Sequence, residues 1–235
     1  MLCFLGELMK KIFSYFSKLE IALWSSSVVL ILASFFAFDR VNYSTLVASL
    51  IGVTALIFSA KGNPIGQVLM VIFSINYGVI SYVFSYYGEM ITYVGMTMPM
   101  SVFALISWLR NPYKGNRAEV KVNRIGKAEQ VLMWILAVAV TVGFYFILEA
   151  FDTANIIPST ISVTTSFLGV YLTFRRSPYY ALAYAVNDIV LVVLWMLVST
   201  VDIRYVSVVV CFIAFLLNDL YGFISWQKMS KRQAE

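Results

Sequence analysis

Two pairs of adjacent polar residues, Asn187-Asp188 and Asn218-Asp219, sit inside stretches that are otherwise apolar. A carboxylate at the centre of a membrane helix costs roughly 2.5–3.5 kcal/mol on insertion scales. Each Asp therefore needs a proton, a neighbouring helix or a ligand to offset that cost. Asp188 lies ten residues beyond Pro178 and Asp219 nine before Lys228. At 1.5 Å per residue both stand about 14–15 Å from one membrane surface, near the midplane. Asp188 precedes Trp195 by seven residues, as Asp219 does Trp226, and Tyr184 precedes Asp188 by four. Those spacings put each Asp on one helix face with its aromatic residues. Aromatic walls with a few hydrogen-bonding groups suit a small, flat, polar ligand better than a lipid or a bare ion.

Gln67 and Asn76 are weaker candidates, Gln67 being near a membrane edge and Asn76 deeper, beside Tyr77. The chain has no His, and Cys3 and Cys211 are too few and too far apart for a disulfide framework or a metal motif. No metal, no cofactor and no catalytic residue is expected, because a nucleophile would lack its base. No Gly-rich phosphate loop points to an ATPase. No Lys lies within a span to carry a retinal, and two unique Asn-Asp pairs do not supply the ring of groups that a channel filter needs. A ligand-handling transporter and a structural or assembly membrane protein remain.

The elements that must hold these residues are helices. The chain is 61% hydrophobic and only 12% charged, whereas soluble domains run nearer 25% charged. Its apolar residues fall into eight blocks, 19–38, 43–60, 65–86, 90–109, 130–150, 158–174, 179–199 and 205–226. Each approaches the roughly 20 residues that cross a bilayer as a helix. The breaks carry turn signals such as "KGNP" (61–64) and "RRSP" (175–178). With eight spans, Lys10, Lys11, Lys18, Lys61, Arg110, Lys114, Arg117, Lys121, Arg124, Lys127, Arg175, Arg176, Lys228, Lys231 and Arg232 share the side of the termini, and only Arg40 and Arg204 lie opposite. The positive-inside rule then places both termini in the cytoplasm. The net charge of +5 is a topology signal, and no nucleic-acid partner is expected. The stretch "GELMKKIFSYFSKLE" (6–20) reads as a helix lying on the cytoplasmic surface, its Lys residues toward anionic lipid.

The chain also repeats itself. "FALISWLRN" (103–111) closes the fourth block and "YGFISWQKM" (221–229) the eighth, while the third and seventh follow "KGNP" and "RRSP". An offset of four helices gives both copies the same orientation, a parallel repeat about an axis along the membrane normal. Pro99, in "GMTMPM" (95–100), should kink the fourth span and free a carbonyl.

With "NPIGQVLMVIFSINYGVISYVF", "YGEMITYVGMTMPMSVFALISWLRNPYKGN", "AVNDIVLVVLWML" and "NDLYGFISW", the chain resembles the PnuC vitamin transporters over roughly residues 45–228. The resemblance implies an all-α integral membrane protein of eight transmembrane helices, similar to SWEET sugar transporters. Two parallel three-helix bundles would be joined by a linker helix, a 1+3+1+3 plan. On that plan 1–42 holds the surface helix and an added first span, 43–109 the first bundle, 110–157 a cytoplasmic loop and the linker helix, and 158–235 the second bundle and tail. The implied activity is uptake of nicotinamide riboside across a bacterial inner membrane by facilitated diffusion, trapped by a cytoplasmic riboside kinase. Thiamine, riboflavin or a deoxynucleoside as cargo, proton coupling and a homo-oligomer in the bilayer stay open. The implied site draws Gln67 and Asn76 from the first bundle and Tyr184, Asn187, Asp188, Trp195, Asn218 and Asp219 from the second. Met100 stands where the family pattern, carried over from Asn218, expects an Asn.

Overall fold

The computed structural model describes residues 14–83 and 87–235. Among the described residues, eight helices are long and apolar enough to cross a bilayer: α1 (Lys18–Asp39), α2 (Tyr43–Ala60), α3 (Ile65–Val83), α4 (Tyr87–Arg110), α5 (Lys127–Ala150), α6 (Ile156–Phe174), α7 (Tyr180–Ser199) and α8 (Ile203–Arg232). Large apolar side chains such as Val131, Trp134, Ile135 and Val138 on α5 point outward, as expected where the surrounding medium is lipid. The expected surface helix over 6–20 does not hold across its described part. Ser14 and Tyr15 are helical, but the chain bends at Phe16, and Ser17 starts α1 anew by capping the Glu20 backbone N–H at 3.2 Å. Residues 6–13 lie outside the described residues.

In α4 the helix widens to a π turn over Thr92–Thr97, just before Pro99. Pro99 has no N–H to give to the preceding turn, so the bonding shifts by one residue, and the Met98 N–H reaches the Tyr93 carbonyl. The stretch between α4 and α5, expected as a loop, contains a two-stranded hairpin, β1 (Pro112–Tyr113) and β2 (Asn116–Val120), turning at Lys114 and Gly115 with positive φ.

Consecutive helices pack side by side from α2 to α4 and from α6 to α8; α5 lies on α6 and α1 on both α2 and α8. The two halves meet through α8 on α2 and α4 on α6. A Cβ on Gly52 would sit 2.4 Å from the Phe215 ring, so this glycine lets α8 approach α2.

Equivalent residues confirm the repeat. The α2–α3 turn Lys61-Gly62-Asn63-Pro64 corresponds to the α6–α7 turn Arg175-Arg176-Ser177-Pro178, with positive φ at Gly62 (67°) and Arg176 (56°) alike. Lys61 pairs with Glu20 at 3.2 Å, and Arg175 pairs with Glu129. Each Glu stands two residues after the Lys that opens its helix, Lys18 of α1 and Lys127 of α5. Helix α1 is therefore the counterpart of α5, and the repeat spans four helices in each half. The chain from the last residue of β2 onward crosses between the halves. The Val120 N–H donates to the Gly62 carbonyl at 2.9 Å and the Asn123 N–H to that of Arg176 at 2.9 Å, again at equivalent positions.

Candidate functional site

Helices α7 and α8 bring Asp188 and Asp219 together. Their carboxyl groups are within hydrogen-bonding reach of each other, and the residues are 3% and 4% exposed. An ionised carboxylate only accepts hydrogen bonds, so the two can bond directly only when one carries a proton. The Asp188 Oδ2 has no partner. Among the described residues, the salt bridges all join groups at helix ends and loops, and none reaches this pair. Two buried carboxyls side by side, with no cation of the described residues paired to them, can receive a cation or hydroxyl donors.

The adjacent asparagines turn away, as residues about 100° apart on a helix must. The Asn187 Oδ1 accepts from the hydroxyls of Ser162 at 3.2 Å, Thr165 at 2.8 Å and Ser166 at 3.1 Å, fastening α7 to α6. The Asn218 Nδ2 donates to the Ser27 Oγ at 2.9 Å and the Ala214 carbonyl at 2.8 Å, fastening α8 to α1, while its Oδ1 is buried without a partner. Each Asn-Asp pair thus divides into a helix fastener and a carboxyl facing its counterpart.

Aromatic and polarisable groups surround the acid pair. Tyr184 and Tyr180 lie within electrostatic reach of Asp219, and Tyr93 and Cys211 within reach of Asp188. Tyr184 packs over Gly169, where a Cβ would meet its ring at 2.8 Å. Tyr93 sits 4.4 Å from Tyr77, centroid to centroid, and 5.9 Å from Phe73. Trp195 stands apart. Helices α7 and α8 are antiparallel neighbours, so seven residues onward leads toward opposite membrane faces from Asp188 and from Asp219, about 10 Å each way. Trp195 stacks on Tyr205 at 5.4 Å and borders two cavities. One, about 40 Å³, also touches Asp202 and Arg204; hydrogen bonds from Arg204 hold the Asp202 carboxyl below the usual carboxylate range. The other, about 170 Å³, also touches Glu89.

Toward the α4–α5 loop a cluster of rings packs between the two halves. Tyr180 lies 4.9 Å from Trp226 and 6.5 Å from Trp108, and both Trp residues are almost fully buried. Trp108 Nε1 donates to the Thr173 carbonyl at 2.9 Å, and Trp226 Nε1 to the Ser59 carbonyl at 2.8 Å.

The model of the nicotinamide mononucleotide transporter family matches residues 42–228, that is, α2 through most of α8. The chain belongs to that family. The nicotinamide mononucleotide transporter family is one of membrane transporters, not enzymes. A nicotinamide riboside transporter PnuC from Neisseria mucosa is 26% identical over 223 residues, covering 91% of this chain and 82% of that protein. A nicotinamide riboside transporter PnuC from Haemophilus influenzae is 24% identical over 196 residues, covering 81% and 82%. A crystal structure of the vitamin B3 transporter PnuC has the same fold: its TM-score is 0.81 at 20% identity, over 96% of this chain and 97% of that one.

Within the region matched by the nicotinamide mononucleotide transporter family, Gln67 and Asn76 lie away from the acid pair's hydrogen bonds. Gln67 is buried near the loop end of α3, with its Nε2 3.4 Å from the Ser59 Oγ. Asn76 is half-buried and donates to the Ile72 carbonyl of its own helix at 2.9 Å. Sequence reasoning missed Glu89 and Tyr93. An apolar block drawn from residue 90 leaves Glu89 in the preceding loop, and Tyr93 is one of 15 Tyr residues. The signal was their spacing of four, which puts both on one face of α4.

Proposed function

We propose that this protein carries nicotinamide riboside into the cell across a bacterial inner membrane, by facilitated diffusion, with both termini cytoplasmic. Both curated relatives are named as riboside transporters and come from bacteria, and the cations gather on the face that bears the termini. The 1+3+1+3 grouping of helices is part of the same reading. So are a cytoplasmic riboside kinase that traps the cargo and the assignment of Tyr184, Asp188, Trp195 and Asp219 to the substrate path.

The carrying observation is the buried Asp188–Asp219 pair, which no cation among the described residues joins in a salt bridge. Nicotinamide riboside is a pyridinium cation bearing ribose hydroxyls. Its charge would satisfy the carboxylates, and its hydroxyls would donate to them. A mononucleotide would bring a phosphate against two carboxyls, which is repulsive in a medium of low dielectric. The family's general name thus gives way here to the riboside. Uptake of labelled riboside into proteoliposomes, saturable and without an imposed gradient, is the expected result. Failure of uptake to saturate would contradict a carrier.

One observation favours a second reading. It is the closeness of the Asp188 and Asp219 carboxyls: a proton shared between them would be displaced by an arriving cation, coupling riboside entry to proton movement. Uptake stimulated by a pH gradient and abolished in Asp219→Asn would support coupling over facilitated diffusion.

A further inference from the structure

On the face opposite the Trp108–Trp226 cluster, the cavity of about 170 Å³ lies between the start of α4, the α5–α6 turn and the end of α7. A void of about 150 Å³ holds a benzene ring, so one aromatic ring of a cargo fits. Its walls include Tyr87, Phe151 and Trp195, and its polar lining includes Glu89. Gly88 makes the closure possible: a Cβ there would stand 2.5 Å from Leu148 and 2.7 Å from the Thr153 Oγ1, so the turn lies directly against α4.

Glu89 is half-buried on an apolar helix. Among the described residues no cation pairs with it; the four salt bridges involve other acids. Asp152 also borders the cavity but sits on the exposed turn. From Glu89 the route inward is short. Tyr93 lies one turn along α4 and stands within electrostatic reach of both Glu89 and Asp188.

We propose that Glu89 and Trp195 form an outer subsite that takes up a monocationic aromatic ring before it reaches the Asp188–Asp219 pair. The carboxylate supplies the charge, and the indole face the cation–π surface. The subsite selects cargo by charge at the opening, while the acid pair holds it at depth. It extends the transport reading above without requiring nicotinamide riboside to be the cargo.

The test uses the full chain in lipid nanodiscs and two probes, the 1-methylnicotinamide cation and neutral nicotinamide, by calorimetry. The unmodified protein is expected to prefer the cation by about tenfold. Glu89→Gln should reduce the preference, while Glu89→Asp and Asp152→Asn keep it, with melting temperatures showing that each variant is folded. Equal affinity for the two probes, no binding of the cation, a preference unchanged in Glu89→Gln, or its loss in Asp152→Asn would each overturn the subsite. Binding of the methylated cation together with failure of nicotinamide riboside to bind would sink the substrate reading and leave the subsite standing.

Discussion

Trp108 and Trp226 lie 5.4 Å apart, ring centroid to centroid, and each donates its indole N–H across the molecule to the opposite half. Trp108 of α4 bonds the Thr173 carbonyl of α6, and Trp226 of α8 bonds the Ser59 carbonyl of α2. Thr173 and Ser59 each stand two residues before the equivalent cations Arg175 and Lys61. This reciprocity is the signature of a twofold relation: the contact from the first half to the second is returned at the matching site. Both rings are buried where the two halves meet, on the side of the α4–α5 loop.

Replacing either Trp by Phe keeps most of the ring and deletes the donor. Each single change is expected to lower stability by about 1 kcal/mol, the net worth of one hydrogen bond, because each carbonyl keeps a backbone donor, the Gly62 N–H for Ser59 and the Arg176 N–H for Thr173. Because the rings touch, the double variant should depart from additivity. Thermal melts in detergent check this, and strictly additive losses would argue that the two rings do not act as one unit.

The asparagines should behave as fasteners. Asn187→Leu removes the common acceptor of three hydroxyls and is expected to cost about 1–3 kcal/mol of stability. Asn218→Leu removes one bond to Ser27, which keeps its own bond to the Leu23 carbonyl at 2.8 Å, and also removes an unpartnered buried oxygen. Its cost should be smaller, within about 1 kcal/mol. Equal losses for the two, measured by melting temperature, would show that the unequal bonding does not govern stability.

Much of this was legible in the sequence. The eight spans, their turn signals and the repeat follow from hydrophobic runs, Pro positions and charge, because the bilayer leaves few alternatives. The common level of Asp188 and Asp219 along their helices was legible too, since rise per residue sets it, and the two residues do meet. The opposite roles of Asn187 and Asp188 were not, because a helix turns adjacent side chains apart and only the packing of α6 against α7 decides which faces what. The direction of Trp195 was hidden for a similar reason: spacing puts it on Asp188's face but does not relate it to α8. The hairpin at 112–120 escaped because a strand of two residues leaves no periodicity to read.

Orientation is tested by labelling. In a variant with Cys3 and Cys211 replaced, an impermeant maleimide added outside intact cells is expected to modify Val201→Cys, 89% exposed, and to spare Lys114→Cys. The opposite pattern would invert the topology and place the outer subsite on the cytoplasmic face.

Single amide variants probe the acid pair. Asp188→Asn or Asp219→Asn keeps a hydrogen bond, because the new amide donates to the remaining carboxylate. Stability should therefore hold within about 1 kcal/mol, while riboside affinity falls by about tenfold or more with the lost charge. Loss of folding together with affinity would make the pair a structural element first.

The central claim is that a buried pair of acids receives a cationic riboside and rejects its phosphate ester. Calorimetric titration of the purified protein with nicotinamide riboside and with nicotinamide mononucleotide tests it most directly. The expected result is saturable binding of the riboside, weakened at least about tenfold in Asp188→Asn, and no measurable binding of the mononucleotide. Mononucleotide binding as tight as the riboside, or riboside binding indifferent to Asp188, would contradict it.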